Sequence, residues 1–134
     1  SPNGYPGYDA NGWGYCSNNG LKYSSGSSSS YGATWTSSDV IGLAFDADAG
    51  TVTFYKNNVS QGTAFTGLTS GPYFPSIAFA SSASGYVNFG QRPFSYTAPS
   101  GFKALCTQNL PTPAIGASAS TLANKYFDAV LKAY

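Results

Sequence analysis

Three consecutive segments between residues 39 and 65 constrain the fold more than any other part of the sequence. Asp39–Asp46 (DVIGLAFD) is a nearly continuous apolar run, which is typical of a buried strand. Thr51–Lys56 (TVTFYK) alternates apolar and polar residues, as a strand with one buried face does. Val59–Phe65 follows the tight-turn pair Asn57-Asn58 and returns as a partner strand. The pattern predicts an antiparallel meander of three strands.

Shorter strand candidates lie on both sides of this meander. Gly14–Ser17 and Leu21–Ser24 are separated by Asn18-Asn19-Gly20, a strong turn signal. On the C-terminal side, Tyr73–Ala80 and Tyr86–Phe89 have the composition of strands. Several short strands separated by turn signals predict an all-β fold, an antiparallel two-sheet sandwich.

The aromatic residues divide into core candidates and loop candidates. The chain has 11 Tyr, 9 Phe and 2 Trp, so aromatic rings must supply much of any core. We expect the core to include four phenylalanines on or beside strands and both tryptophans: Phe45, Phe54, Phe79, Phe89, Trp13 and Trp35. Ser24–Ser30 (SSGSSSS), in contrast, is predicted to be a mobile loop.

Charge and composition exclude several classes of function. The formal net charge is +1, and the six Lys and Arg residues are scattered, so no basic stripe for nucleic acid is present. No run of 18 apolar residues occurs, so no membrane insertion is predicted. The sequence contains neither His nor Glu, which removes the usual general bases. We therefore predict a non-catalytic protein without a cofactor.

The two cysteines and two neighbouring aspartates each allow two interpretations. Cys16 and Cys106 could form a disulfide, which would stabilise the chain by roughly 4–5 kcal/mol, or remain buried thiols. Asp46 and Asp48 have the Asp-x-Asp spacing of a calcium loop but lack its distal Glu, so a hairpin turn is favoured. No His or C-x-x-C motif is present, so we predict no metal site.

Motifs distributed over roughly residues 12–102 together resemble the SPRY family. They are Asp39–Asp48 (DVIGLAFDAD) with Gly50, Thr51–Asn57 (TVTFYKN), Gln61–Phe65 (QGTAF), Gly71–Pro75 (GPYFP), Val87–Gln91 (VNFGQ), Pro93-Phe94 and Gly101-Phe102. The resemblance implies a concanavalin A-like sandwich that binds a protein or glycan through loops at its edge. The family's N-terminal strands are missing here, so the resemblance also implies a fragment or a domain completed by another chain.

The C-terminal third suggests a boundary and an origin. The resemblance assigns residues 1–106 to an N-terminally incomplete SPRY-like domain. Residues 107–121 are Pro-rich and are predicted to be a linker, and residues 122–134 the start of a following domain or a docking segment. Residues 101–113 (GFKALCTQNLPTP) resemble the junction in phage tail and tail-fibre proteins. This resemblance implies a virion or extracellular location.

The predicted function is a binding or adhesion module that recognises a host-surface glycan or protein. The candidate ligand-binding residues are tyrosines in Gly- and Ser-rich loops and two turn asparagines: Tyr5, Tyr8, Tyr23, Tyr31, Asn57 and Asn58. A second hypothesis is a structural subunit of a filament or virion, completed by strands from neighbouring subunits. A third, a glycan hydrolase, would need two closely opposed carboxylates.

Overall fold

A computed structural model describes residues 4–79, 83–106 and 109, and its strands form two antiparallel three-stranded sheets. The first sheet contains β1 (Trp13–Tyr15), β2 (Leu21–Ser24) and β3 (Ser27–Ser30). The second sheet contains β4 (Ile41–Asp46), β5 (Thr51–Lys56) and β6 (Val59–Phe65). Each sheet follows chain order, so consecutive strands pair as hairpins. The predicted all-β, antiparallel fold class is confirmed.

Strand β3 corrects the prediction of a mobile serine loop. Ser25 and Gly26 have φ values of 53° and 69°, the backbone that a two-residue type I′ hairpin requires. This turn returns the chain beside β2, where Ser24 pairs with Ser27 and Leu21 with Ser30. All four serines of β3 are exposed, as on the edge of a sheet. Composition misled here because a strand is defined by its pairing partner, which a serine run does not reveal.

The second sheet follows the predicted meander closely. β4 pairs with β5 in unbroken register from Ile41↔Lys56 to Asp46↔Thr51. In the turn between them, the Asp46 Oδ1 accepts hydrogen bonds from the backbone N–H groups of Asp48 (3.0 Å) and Ala49 (2.9 Å). Asp46 therefore shapes a hairpin turn, as the sequence favoured. The β5–β6 ladder is less regular, with register shifts on either side of Thr53.

The core lies between the two sheets. Its buried residues come mainly from the second sheet and the segment after it: Ala44, Val52, Phe54, Ala64 and Leu68. Half-buried aromatic residues of the first sheet and the chain that follows it pack against this cluster, among them Trp13, Tyr15 and Tyr31. The prediction that Phe54 belongs to the core is confirmed, and Phe45 and Trp13 pack at its margin.

Tyr31 joins the two sheets at the irregular part of the β5–β6 ladder. Its hydroxyl donates to the Gly62 carbonyl (2.6 Å) and accepts from the Phe54 N–H (3.1 Å). Its ring makes edge contacts with Tyr15 and Phe54, with centroids 5.2 and 6.1 Å away. The same residue thus packs in the core and bridges two backbone groups where a bulge disturbs the pairing. Burial raises the pKa of the Tyr31 hydroxyl above its ordinary value, and the hydrogen bond with the Phe54 backbone opposes part of that rise.

The segments from Tyr73 and from Tyr86 do not form the strands that the sequence predicted. Residues 73–79 and 86–89 pair with no strand among the described residues, and Ala80 lies outside them. Phe79 and Phe89 are 45% and 42% exposed, so their predicted core positions are wrong. Around Phe89, side chains hold the backbone locally instead. The Gln91 side chain accepts a hydrogen bond from the Phe89 N–H, and the Asn88 side chain accepts one from the Gly90 N–H.

The remaining C-terminal predictions concern the cysteines and the linker. Cys16 and Cys106 are both free thiols, so the alternative of a disulfide between them is not realised. The Cys16 thiol donates instead to the Asn18 Oδ1 at 3.0 Å. Apart from Asn109, the predicted linker (107–121) and following segment (122–134) lie outside the described residues.

Replacing Tyr31 with Phe is expected to lower the free energy of unfolding by about 1–2 kcal/mol. The ring contacts remain, but the partly buried Phe54 N–H and the exposed Gly62 carbonyl lose their shared partner. Urea unfolding followed by tyrosine and tryptophan fluorescence measures the change. The matched control is Tyr86→Phe, the same substitution at a side chain that is 95% exposed, and equal losses for the two variants would contradict the bridging role.

Candidate binding site

The clearest loop feature is a tight turn that presents two tyrosines. The Tyr8 N–H donates to the Tyr5 carbonyl at 2.9 Å, and Pro6 and Gly7 occupy the two central positions. Gly7 has φ of 95°, so the turn has the sequence and backbone of a type II turn. Because the tyrosines stand at its two ends, their rings meet edge to face, with centroids 5.7 Å apart.

Close backbone packing fixes this turn against the first sheet. Gly7 is buried, and a Cβ at this position would lie 2.7 Å from the Tyr23 Cβ and closer still to the Tyr23 carbonyl. The N–H of Gly26, in the β2–β3 turn, donates to the Gly7 carbonyl at 3.0 Å. Ser25 makes the same bond to the Asp9 carbonyl at 3.0 Å. Only glycine permits this close approach at position 7. The β2–β3 hairpin therefore fixes the position of the tyrosine turn.

A groove of about 610 Å³ runs beside the tyrosine turn. One wall is formed by the turn and by Asp9, and the opposite wall by Ser76, Ile77 and Ala78. Its volume is in the range that binds small molecules or a few residues of a peptide. We call this space the tyrosine groove.

The side chains at the tyrosine groove combine exposed aromatic and aliphatic surface. Tyr5 and Tyr8 are 48% and 58% exposed, and Ile77 on the opposite wall is 53% exposed. Tyr23 contacts Tyr5 next to the groove: the two ring centroids lie 5.3 Å apart. The Tyr23 hydroxyl accepts a hydrogen bond from the Asn19 side-chain amide at 2.9 Å. Three of the six predicted residues, Tyr5, Tyr8 and Tyr23, are thus brought together.

The structure also assigns a place to the other three predicted residues. Tyr31 lies between the sheets with its hydroxyl engaged by two backbone groups, so it does not line the groove. Asn57 and Asn58 form the β5–β6 turn with φ values of 47° and 69°. Asn58 is exposed there, whereas the Asn57 side chain is half-buried.

Asn57 belongs to a polar network that fastens the β5–β6 turn to the start of β4. Its side chain accepts from the Val40 N–H (2.8 Å) and donates to the Asp39 Oδ1 (2.6 Å). The other Asp39 oxygen accepts from the Thr36 N–H (2.8 Å) and lies 3.4 Å from the Lys56 ammonium. Hydrogen bonds from Thr36 and then Asn57 hold the pKa of Asp39 below its ordinary value, with a smaller contribution from Lys56. These contacts give Asn57 a structural role.

Tyr5 and Tyr8 are the groove-lining residues that were predicted to bind ligand, and Ile77 and Asp9 are among those that were not. Ile77 lies in a segment predicted to be a strand, and its approach to a turn some 70 residues earlier is a tertiary contact without a local signal. Asp9 also lines the groove, but a single aspartate in the sequence carries no motif that marks a binding site. The tyrosine turn itself could have been recognised from Tyr-Pro-Gly-Tyr, because Pro then Gly is typical of a type II turn.

Two other kinds of site are absent from the described residues. No group of three or more Cys or Asp side chains in the described ranges could hold a metal ion. The part of the chain that the structure describes also has no helix that is long and apolar enough to cross a membrane.

The two facing antiparallel sheets with a loop-borne groove define a β-sandwich binding domain. The family model described as SPRY domain matches residues 1–92, more than half of the chain. This chain therefore belongs to the SPRY family, whose domains are protein-binding modules and generally non-catalytic.

Relatives of this chain occur in plants and animals. It is 41% identical over 86 residues to the E3 ubiquitin-protein ligase RKP of Arabidopsis thaliana, covering 61% of this chain and 6% of the relative. It is 36% identical over 96 residues to Ran-binding protein 10 of Danio rerio and to Ran-binding protein 9 of Homo sapiens. These alignments cover 70% of this chain and 16% and 13% of the two proteins. The chain thus spans less than a fifth of the length of these relatives.

The relatives overturn the predicted location. They are cellular proteins of eukaryotes, so the prediction of a virion or extracellular protein is wrong. The resemblance of residues 101–113 to phage tail junctions misled because these residues lie outside the segment, residues 1–92, that the family model matches. The phage context has no support among the relatives.

The polar network at Asp39 predicts a specific loss of stability in acid. Because the pKa of Asp39 is lowered by folding, its stabilising effect is present above the unfolded value of about 3.8 and is lost as the pH falls below it. Between pH 6 and pH 3, the free energy of unfolding should therefore fall more for the natural chain than for Asp39→Asn, measured by urea unfolding. Asp48→Asn, a change at an exposed carboxylate, is the matched control and should follow the natural chain. Parallel curves for all three proteins would contradict the role of Asp39.

Proposed function

We propose that this chain is a protein-recognition module that captures an exposed segment of a partner protein in the tyrosine groove. The observation that carries the proposal is the pair of half-exposed rings, Tyr5 and Tyr8, held beside a groove by a turn that the first sheet fixes. Membership of a family of protein-binding domains supports the same reading.

The rigid seating of the turn favours recognition by preformed rings. Tyrosine offers a large apolar face and a hydroxyl at low cost in side-chain entropy, which is why it is frequent in binding surfaces. The Tyr5 and Tyr8 rings already contact each other, and Gly7 packs on the Tyr23 backbone, so little ordering remains to be done on binding. Truncating a central tyrosine in such a site typically costs about 2 kcal/mol of binding free energy.

The names of the relatives bear on this proposal only in a general way. Two are called Ran-binding proteins and one an E3 ubiquitin-protein ligase, and the aligned part is 6% to 16% of each. We propose for this chain the recognition step alone. The peptide sequences that the groove prefers would identify the partner protein.

Asn58, the exposed asparagine of the β5–β6 turn, offers an alternative binding surface with which the groove can be compared. It was predicted to bind ligand, and it lies at the β5–β6 turn, which does not line the tyrosine groove. The groove-centred proposal therefore assigns the main contacts to Tyr5 and Tyr8. Asn58→Gly keeps the positive φ of 69° that this turn needs while removing the side chain.

Selection from a library of random peptides displayed on a carrier, followed by titration of synthetic peptides, tests the proposed function. We expect a group of related peptides to bind, and Tyr5→Ala and Tyr8→Ala each to weaken binding roughly 30-fold, which corresponds to about 2 kcal/mol. Asn58→Gly and Phe74→Ala, a change at a side chain that is 82% exposed outside the groove, should leave the affinity unchanged.

Two results would contradict the proposed function. One is a peptide family whose binding survives both tyrosine substitutions but is lost in Asn58→Gly, which would move recognition to the other turn. The second is an absence of peptide binding combined with retention of a carbohydrate on a glycan array, which would favour the glycan partner that the sequence analysis considered. Thermal unfolding of each variant shows whether the fold is kept.

A further inference from the structure

The tyrosine groove has a single charged group on its described walls. Asp9 supplies it, and the other described lining residues are uncharged. The groove therefore carries one negative charge beside two aromatic rings. A ligand that enters it meets a carboxylate with no competing positive charge on those walls.

No cation of the described chain neutralises Asp9. The ion pair found among the described residues joins Lys56 and Asp39, beside the β5–β6 turn. Lys22, the first basic residue in the sequence, donates to the Ala64 carbonyl at 2.5 Å and lies over the Tyr31 and Phe65 rings. The Lys22 ammonium therefore takes part in the contact between the sheets. The Asp9 carboxylate is thus available to a charge supplied by a partner.

The Asp9 side chain is also held in place. Its Oδ1 accepts from the Asn11 N–H at 3.0 Å, and its backbone carbonyl accepts from Ser25 at 3.0 Å. The residue remains exposed, and its second carboxylate oxygen has no hydrogen-bond partner among the described residues. A fixed carboxylate loses little side-chain entropy when a ligand donates to it, which favours a strong charge-assisted hydrogen bond.

The neighbouring rings select among cationic side chains. A guanidinium is planar and weakly hydrated, so it can lie on a tyrosine face while its N–H groups reach a carboxylate. An ammonium is a compact, strongly hydrated charge that gains less from the same rings. Ile77 on the facing wall is 53% exposed and would contact the methylene groups that precede the guanidinium.

We infer that the tyrosine groove binds an arginine side chain of the partner segment, with its guanidinium against the edge-to-face pair of Tyr5 and Tyr8 and hydrogen-bonded to the Asp9 carboxylate. This inference rests on the proposed function and adds to it the chemistry of the partner. It commits the groove to an extended peptide segment containing arginine and not to an acidic or purely apolar one.

The test uses fluorescein-labelled nonapeptide libraries in which the central residue is fixed and the flanking positions hold uncharged residues. The central residue is Arg, Lys, citrulline, Leu or Glu, and binding to the full chain is measured by fluorescence anisotropy. Citrulline has the shape of arginine without its charge. We expect the arginine library to bind roughly tenfold more tightly than the citrulline library, the effect of one charged hydrogen bond.

Two variants that each remove one negative charge distinguish an effect at the groove from a general effect of surface charge. Asp9→Asn keeps the side-chain oxygen that accepts from Asn11, so the local turn is retained, and it should reduce the arginine library to the level of citrulline. Asp48→Asn removes an exposed carboxylate elsewhere and should keep the arginine preference. Asp9→Lys should reverse the preference towards the glutamate library, which loss of structure would not do.

The possible failures are distinguishable. Equal binding of the arginine and citrulline libraries, with binding lost in Tyr8→Ala, would overturn the arginine inference and leave the proposed function standing. The same loss of preference in Asp9→Asn and Asp48→Asn would also overturn it, since the effect would then be general electrostatics. If no library binds at all, the proposed function itself fails.

Discussion

The contact on which the rest of the structure depends is the bridge that Tyr31 makes between the sheets. At that point the β5–β6 ladder changes register, and the hydroxyl bonds both the Phe54 N–H and the Gly62 carbonyl. Its ring completes the aromatic packing of Tyr15 and Phe54. A partly buried N–H without a partner costs about 1–3 kcal/mol, so a hydroxyl delivered by the facing layer stabilises both strands and their stacking.

The position of the binding site also depends on contacts that lie outside it. Lys22 reaches across from β2 to the Ala64 carbonyl and lies over the Phe65 ring, so the first sheet is fixed to the second at two places. The turn between β2 and β3 in turn donates two hydrogen bonds to the segment that carries the tyrosines. The position of the tyrosine groove is thereby set by backbone contacts, while its selectivity comes from side chains that the core does not use.

Features that depend on local interactions could be predicted from the sequence, and features that depend on tertiary contacts could not. Strands β4 to β6 were predictable because alternation and tight turns are local, and the motif resemblance agreed with them. Strand β3 and the segment Tyr86–Phe89 were predicted wrongly, since pairing depends on a partner that the segment does not encode. Tyr5 and Tyr8 stand in a recognisable turn, so their proximity could be predicted from the sequence. Their contact with Tyr23 and the approach of Ile77 could not be predicted, because both are tertiary contacts.

Native-state amide hydrogen exchange at Phe54 tests the central claim most directly. If the Tyr31 hydroxyl bridges the irregular ladder, the Phe54 N–H should exchange only through global unfolding, as slowly as the core amides of β5, and its rate should follow the free energy of unfolding as urea is added. Exchange of the Phe54 N–H at the rate of an exposed loop amide, with the amides of Val52 and Tyr55 still protected, would contradict the account.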